Sequence, residues 1–243
     1  MSMWGSQGFG RPHPLDDFAV GTRDSAVIRF FNAVYAWMAV GLAVTAGVAW
    51  AVSTHYALLK QVNSPGALIG IFVAEIILVI VISSAIRRLN AAAATALFVL
   101  YAALNGLLLS SIFLFYTLTS ITGAFGACAA MFAVMSLYGM FTKTDLTRLG
   151  KILFMALIGL IIATVINIFV ANSAFYWIVS YAGVIIFAGL TAYDTQRLQT
   201  MAVQTQGDPA LAARLSVNGA LVLYLDFINM FLFLLRIMGN RRQ

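Results

Sequence analysis

The sequence predicts an all-α membrane protein of seven transmembrane helices, and three observations carry that expectation. Of the 243 residues, 62% are hydrophobic and only 9% charged, with a mean hydropathy of +0.96; so little polar surface cannot cover a water-soluble globule. Apolar runs of about twenty residues recur along the chain, each the length a helix rising about 1.5 Å per residue needs to cross about 30 Å of hydrocarbon. The Lys and Arg residues fall in short clusters between those runs, which is how topology is encoded in a bilayer.

The first element, 1–30, carries Arg11, Asp16, Asp17, Arg23, Asp24 and Arg29 with Pro12 and Pro14. It lacks the apolar centre of a cleavable signal peptide and reads as a polar tail. A membrane domain over 31–238 follows, with spans expected at 31–53, 66–86, 91–113, 123–141, 152–171, 174–193 and 215–235, and a short C-terminal end at 239–243. The boundary between the third and fourth spans is the hardest to place. The stretch 89–142 holds no charge at all and is split at its polar patch, 117–123, because two helices fit there and one does not.

Orientation follows from the positive charges, since basic short loops stay in the cytoplasm. Arg11, Arg23, Arg29, Arg87, Arg88, Lys143, Arg148, Lys151, Arg197 and Arg214 fall on one side; Lys60, Arg236, Arg241 and Arg242 fall on the other. The expected protein is therefore multi-pass, with its N-terminus cytoplasmic and its C-terminus outside. The same clustering removes nucleic acid as a partner despite a net charge of +6. The single cysteine, Cys128, excludes an intramolecular disulfide and reads as a small core hydrophobe. No internal repeat is visible, which disfavours an inverted-repeat carrier.

An ionisable group inside a transmembrane helix costs about 2.5 to 3.5 kcal/mol on insertion scales, so each is a functional candidate. Three acids qualify: Glu75 in FVAEIILVI, Asp194 in GLTAYDTQ and Asp226 in LYLDFINMF. Glu75 stands twelve residues above Arg87, roughly 18 Å from the cytoplasmic surface, and Arg236 ends the seventh span on the outer side, so the two can meet in the outer half. Arg87 or Arg88 shares the cytoplasmic end with Asp194. Asp194 and Asp226 invite a different reading. Two carboxylates within about 4 to 6 Å in a low dielectric cannot both ionise easily, so the pair would titrate as a unit and sense pH.

Their oxygens also suit a hard cation such as Ca²⁺, but two carboxylates fall short of six to eight ligands, so binding would be weak, as permeation requires. An apparent offset of about two turns in depth separates them. Blander readings stand beside these: Asp194 as an interfacial helix end, Asp226 as an interhelical hydrogen-bonding group. Gly41, Gly47, Gly106, Gly159, Gly183 and Gly189 read as helix-packing contacts rather than a cofactor loop.

At these residues the sequence resembles the Bax inhibitor-1 family in its bacterial branch. The likeness is carried by NGLLLSSIF (105–113), SLYGMFTKTDLTRLGKILFMALIGLIIATVIN (136–167), IFAGLTAYDTQRL (186–198) and LYLDFINMFLFLLRIMG (223–239). The resemblance implies seven helices with the last inside a ring of the other six, and a pH-sensitive calcium leak. By motif it implies that Asp194 and Asp226 are the pH-sensing, ion-contacting aspartates, with any metal contact weak. It likewise makes Glu75 and Arg236 an ion-pair latch, and Arg87 or Arg88 the arginine that can lock Asp194. It also associates bacterial members with membrane-protein quality control by a membrane protease. The stretch 200–213 departs from the pattern as a fairly long loop, and the C-terminus, ending Arg241, Arg242, Gln243, is expected to lack the longer charged tail of some eukaryotic relatives.

The expected function is thus a cation leak: not an enzyme, without a tightly bound cofactor, with calcium ions, protons and the lipid bilayer as partners. The main rivals are an intramembrane aspartyl protease and a non-transporting regulator of quality control, with a carrier and a purely structural scaffold also open. The first would use Tyr193–Asp194 and Asp226, but no Gly-x-Gly-Asp surrounds Asp226 and no proline follows Pro209. A serine protease lacks a membrane histidine and a retinal protein lacks a helical lysine.

Overall fold

The computed structural model describes residues 14–85, 88–205 and 207–240, and their side chains from Ser25 onward except that of Ile168. Among the described residues the chain is helical, with no strand: α1 (Pro14–Ser53), α2 (Tyr56–Val62), α3 (Pro65–Ala85), α4 (Ala91–Leu109), α5 (Ile112–Phe115), α6 (Leu118–Phe141), α7 (Thr147–Val170), α8 (Ser173–Gln204) and α9 (Pro209–Met238). Seven stretches are long and apolar enough to cross a membrane: Ser25–Ser53, Pro65–Ala85, Ala91–Phe115, Leu118–Phe141, Thr147–Asn167, Ser173–Gln204 and Pro209–Met238.

The helix starts follow capping chemistry. Asn90, Thr117, Asn172 and Asp208 each accept a backbone N–H from the first turn that follows, at 2.7, 3.2, 3.1 and 2.9 Å. Thr117 thereby ends the ambiguity between the third and fourth spans, since α6 begins at the start of the polar patch rather than after it. At α9, Pro209 occupies the first turn, where its missing N–H costs nothing.

Three expectations are corrected. Residues 14–30 are already helical, continuous with the first span. The sixth span does not end at Tyr193, because α8 continues for three more turns to Gln204. The stretch 200–213 is consequently no long loop: α8 ends at Gln204 and α9 begins at Pro209, the Asp208 N–H is bonded to the Thr205 carbonyl at 3.1 Å, and Gly207 adopts φ +86, a conformation glycine takes without a Cβ penalty.

Packing centres on α9, the most buried span. Its main neighbours are α8, α1, α6 and α4, while α3 packs mainly on α4 and α7 on α8. Leu221, Leu223, Tyr224, Met230 and Leu235 of α9 are fully buried. By contrast α3 and α7 turn Ile69, Phe72, Ile76, Ile80, Phe154, Met155, Ile161 and Ile162 outward. Such surfaces suit lipid, where apolar side chains need no cover.

Candidate functional site

The site is built where α8 and α9 run antiparallel. Leu198 packs over Gly219 and Phe233 over Gly183, which sets the register and brings Asp226 level with Thr191. Asp194 lies three residues further along α8, about 4.5 Å of rise. The two-turn offset read from the sequence therefore shrinks to about one turn. The cause is the true register of the helix pair, which the wrongly placed end of α8 had hidden.

Each helix is anchored next to its aspartate. On α8, Thr195 exchanges a 3.0 Å hydrogen bond with Ser136 of α6, which in turn meets the Tyr35 hydroxyl of α1 at 2.7 Å. Gln196 accepts from the Leu146 N–H and donates to the Thr144 carbonyl, both at 2.8 Å, and Gln199 donates to the Met140 carbonyl at 2.6 Å. Gly139 of α6 sits so close to α8 that a Cβ would collide with the backbone of Ala192, and Gly150 of α7 leaves room only for the Tyr193 ring. On α9, the Tyr224 hydroxyl meets Thr45 at 2.6 Å, and Thr45 donates to the Ala102 carbonyl at 2.8 Å. The Phe227 carbonyl accepts from the Cys128 thiol at 3.4 Å; Cys128 is a buried core residue, as its apolar context predicts.

Between α7, α8 and α9, with the outward-facing Phe72 of α3, lies a cavity of about 1080 Å³ lined by both aspartates, Thr164, Tyr193, Asn229, Lys151, Arg197 and Arg236, and otherwise by Gly150 and apolar side chains. Asp226 is 5% exposed and its Oδ2 has no hydrogen-bond partner. Asp194, 9% exposed, is the charged group that acts on Asp226. Asn229 donates its amide to the Leu225 carbonyl at 2.8 Å, which leaves its side-chain oxygen free to accept. The donors thus amount to two carboxylates and one amide oxygen. Among the described residues no group of three or more His, Cys, Asp or Glu is gathered. Such a set fits a cation in transit, not a tight calcium site.

Two smaller cavities adjoin the first. One of about 800 Å³ is lined by Asn167, Asn172, Ser173 and Tyr176 and shares Thr164 and Arg236 with the large cavity. The other, of about 470 Å³, is lined by Lys143, Asp145, Thr147 and Gln196 and shares Tyr193 and Arg197 with it. One therefore adjoins the large cavity at Arg236 and the other at Arg197.

The other expected partners are not brought together. Glu75 does not meet Arg236, because α3 packs on α4 and presents the carboxylate to Asn105 and Tyr101 instead. Glu75 Oε1 and Asn105 Oδ1 are both buried without a hydrogen-bond partner. Arg236 lies over the Phe233 ring at 5.1 Å and the Tyr176 ring at 5.8 Å. Arg87 lies outside the described residues. Arg88 is exposed at the turn after α3, its N–H bonded to the Ala85 carbonyl at 2.8 Å, and the cation acting on Asp194 is Arg197 of the same helix. Arg197, Lys151, Asn229, Thr164 and Tyr176 are the lining residues that sequence reasoning missed. The spacing of Arg197 three residues after Asp194 was the one available signal, since such neighbours share a helix face.

Comparison with known proteins agrees with the motifs. Residues 27–243 match the family described as inhibitor of apoptosis-promoting Bax1. The chain is 51% identical over 231 residues to the inner membrane protein YbhL of Escherichia coli (strain K12), covering 94% of this chain and 98% of that one. It is 46% identical to an uncharacterized protein of Deinococcus radiodurans, with 88% and 91% coverage, and 42% identical to one of Borreliella burgdorferi, with 88% and 93%. With its long apolar helices, its buried aspartates and these relatives, the chain is a membrane protein belonging to the Bax inhibitor-1 family.

Proposed function

We propose that this protein is a pH-dependent cation leak, with calcium as the permeant ion, working in a bacterial inner membrane as the name of its Escherichia coli relative suggests. The observation that carries the reading is the set of three adjoining cavities, with Asp194 and Asp226 in the large one. Acidic oxygens in an otherwise apolar wall attract a cation, and their small number lets it leave again. The aspartates are the pH sensor, because protonating either one changes the charge a passing cation meets. The groups facing them are Arg197 on α8, Lys151 on α7, and Arg236 on α9. The N-terminus is cytoplasmic, which places Arg197 at the inner end and Arg236 at the outer.

The protein acts without enzymatic chemistry or a resident cofactor. The test is calcium entry into sealed proteoliposomes holding the purified protein. Entry above empty liposomes supports the leak. Folded protein that admits no calcium at any pH removes it, and cleavage of a transmembrane peptide by the same preparation would establish the aspartyl protease reading instead. Inert in both assays but bound to a membrane protease, the protein would be a regulator of quality control.

A further inference from the structure

We propose that the large cavity is a binding site for an anionic phospholipid: one acyl chain lies along its α7 wall, and the phosphate sits at the mouth formed by Lys143, Lys151 and Arg197. The inference goes beyond the leak reading and needs none of it.

Three observations lead there. The cavity is open at its side. Phe72, Phe154, Met155, Ile161 and Val165 line it, yet each is at least half exposed, from 50% at Val165 to 72% at Met155. All five lie in membrane-spanning helices, and α3 packs mainly on α4 and α7 on α8, so the gap between α3 and α7 faces hydrocarbon. A void there would forfeit dispersion contacts along its lining, and a bilayer core that holds no water offers an acyl chain to fill it. The length of the wall fits one leaflet. From Phe154 to Val165, α7 rises about 16 Å, and half of a hydrocarbon core of about 30 Å is about 15 Å. A partner's membrane-spanning helix would need the full thickness.

The mouth selects charge. There the cavity adjoins the polar pocket of about 470 Å³ lined by Lys143, Asp145, Thr147 and Gln196, and the two share Arg197. Lys143, Lys151 and Arg197 are exposed, and among the described residues none of them forms an ion pair. Their stems reach along the apolar surface and leave the charged heads at headgroup depth. Of the acids at this end, Asp145 accepts the Thr147 N–H at 2.9 Å, and Asp194 stands on α8, across from the chain's seat on α7. Three cations against two carboxylates leave one positive charge in excess, the complement of a phosphodiester, and basic pockets between helices hold lipid headgroups in this way.

Native mass spectrometry of the purified protein, released from detergent micelles, reads the affinity of the first bound lipid. Phosphatidylglycerol and phosphatidylcholine with the same chains are compared, and the parent should bind one phosphatidylglycerol the more tightly. Lys143→Gln combined with Lys151→Gln should reduce that preference by about five-fold per lysine, with unchanged melting because both side chains are exposed. Ile161→Trp fills the chain's seat from an outward-facing position and should weaken binding of both lipids alike. Glycerophosphoglycerol, the headgroup without chains, should not compete.

Equal affinity for the two lipids in the parent, full preference retained by the lysine variant, or unchanged binding in a folded Ile161→Trp would overturn the site. Competition by glycerophosphoglycerol would overturn it as well, by reducing it to a pocket for a soluble anion. Should Ile161→Trp fail to fold, the lysine variant decides. Proteoliposomes that admit no calcium would remove the leak and leave this site standing.

Discussion

Gly139→Ala probes the contact that positions Asp194. A Cβ at Gly139 would lie 2.9 Å from both the Cα and the carbonyl carbon of Ala192, and closer still to its oxygen. Carbon atoms rest at about 3.5 to 4.0 Å, so α6 and α8 must separate by at least about 0.6 Å. The obstacle is backbone, and no side-chain rotation relieves it. Overpacking of this kind costs about 1 to 3 kcal/mol. At about 2 to 4 °C per kcal/mol for a chain of this size, the melting temperature should fall by between about 2 and about 12 °C. Thermal unfolding in detergent, followed by circular dichroism, reads it. The control lies on the same helix: a Cβ at Gly126 meets nothing within 4 Å, so Gly126→Ala should be neutral or stabilising by up to about 1 kcal/mol. Because Ala192 precedes Asp194 by two residues, Gly139→Ala should also change the leak while Gly126→Ala leaves it intact. Equal melting for Gly139→Ala and the parent, or a greater loss in Gly126→Ala, would refute the packing of α6 on α8 described here.

Other expectations follow from individual contacts. Thr45→Val removes the partner of the buried Tyr224 hydroxyl and should destabilise by about 1 to 3 kcal/mol, the cost of an orphaned buried donor; Thr45→Val combined with Tyr224→Phe should recover part of it. Glu75→Gln should leave the melting temperature within about 1 °C or raise it, since among the described residues no cation pairs with Glu75 and the amide retains its shape; a loss of several degrees would restore the latch with Arg236. At the start of α7, hydrogen bonds from Thr147 hold the Asp145 carboxyl below the usual carboxylate range. A depressed folded-state value means that its stabilisation is complete above the unfolded value of about 3.9 and is lost as pH falls through the depressed one. Amide exchange at 147–150 should therefore quicken beyond its intrinsic pH trend under acid conditions in the parent and not in Asp145→Asn.

Hydropathy located every membrane span because it reports burial in hydrocarbon, and the starts expected at 66, 91 and 174 fall within one residue of the helices, while the other four lie later than the true starts. It misplaced the end of α8 for the same reason: Thr195, Gln196, Arg197 and Gln199 are polar, so the apolar signal stops where the helix does not. Their polarity serves the α6–α7 connection, which Gln196 and Gln199 tie down. The turn at 205–208 was readable from Gly207, Asp208 and Pro209, a positive-φ residue, a cap and a first-turn proline in succession. Asp194 and Asp226 were legible because charge is expensive in a membrane and so stands out. The partner of Glu75 was not, because counting residues gives height along a helix but not azimuth. Glu75 and Arg236 could share a depth and still face different neighbours, Asn105 for one and Tyr176 for the other. Thr164, Tyr176 and Asn229 carry no charge, and their role at the cavity depends on the packing of α7, α8 and α9, which no local pattern encodes.

Calcium entry into proteoliposomes, scanned from about pH 5 to pH 8 around the expected carboxylate-pair titration, tests the central claim most directly when the parent is run beside Asp194→Asn and Asp226→Asn. The account predicts entry that varies with pH in the parent and a flattened response in both variants, because each has lost one member of the pair that changes charge. Entry that keeps its full pH dependence in both variants would contradict it.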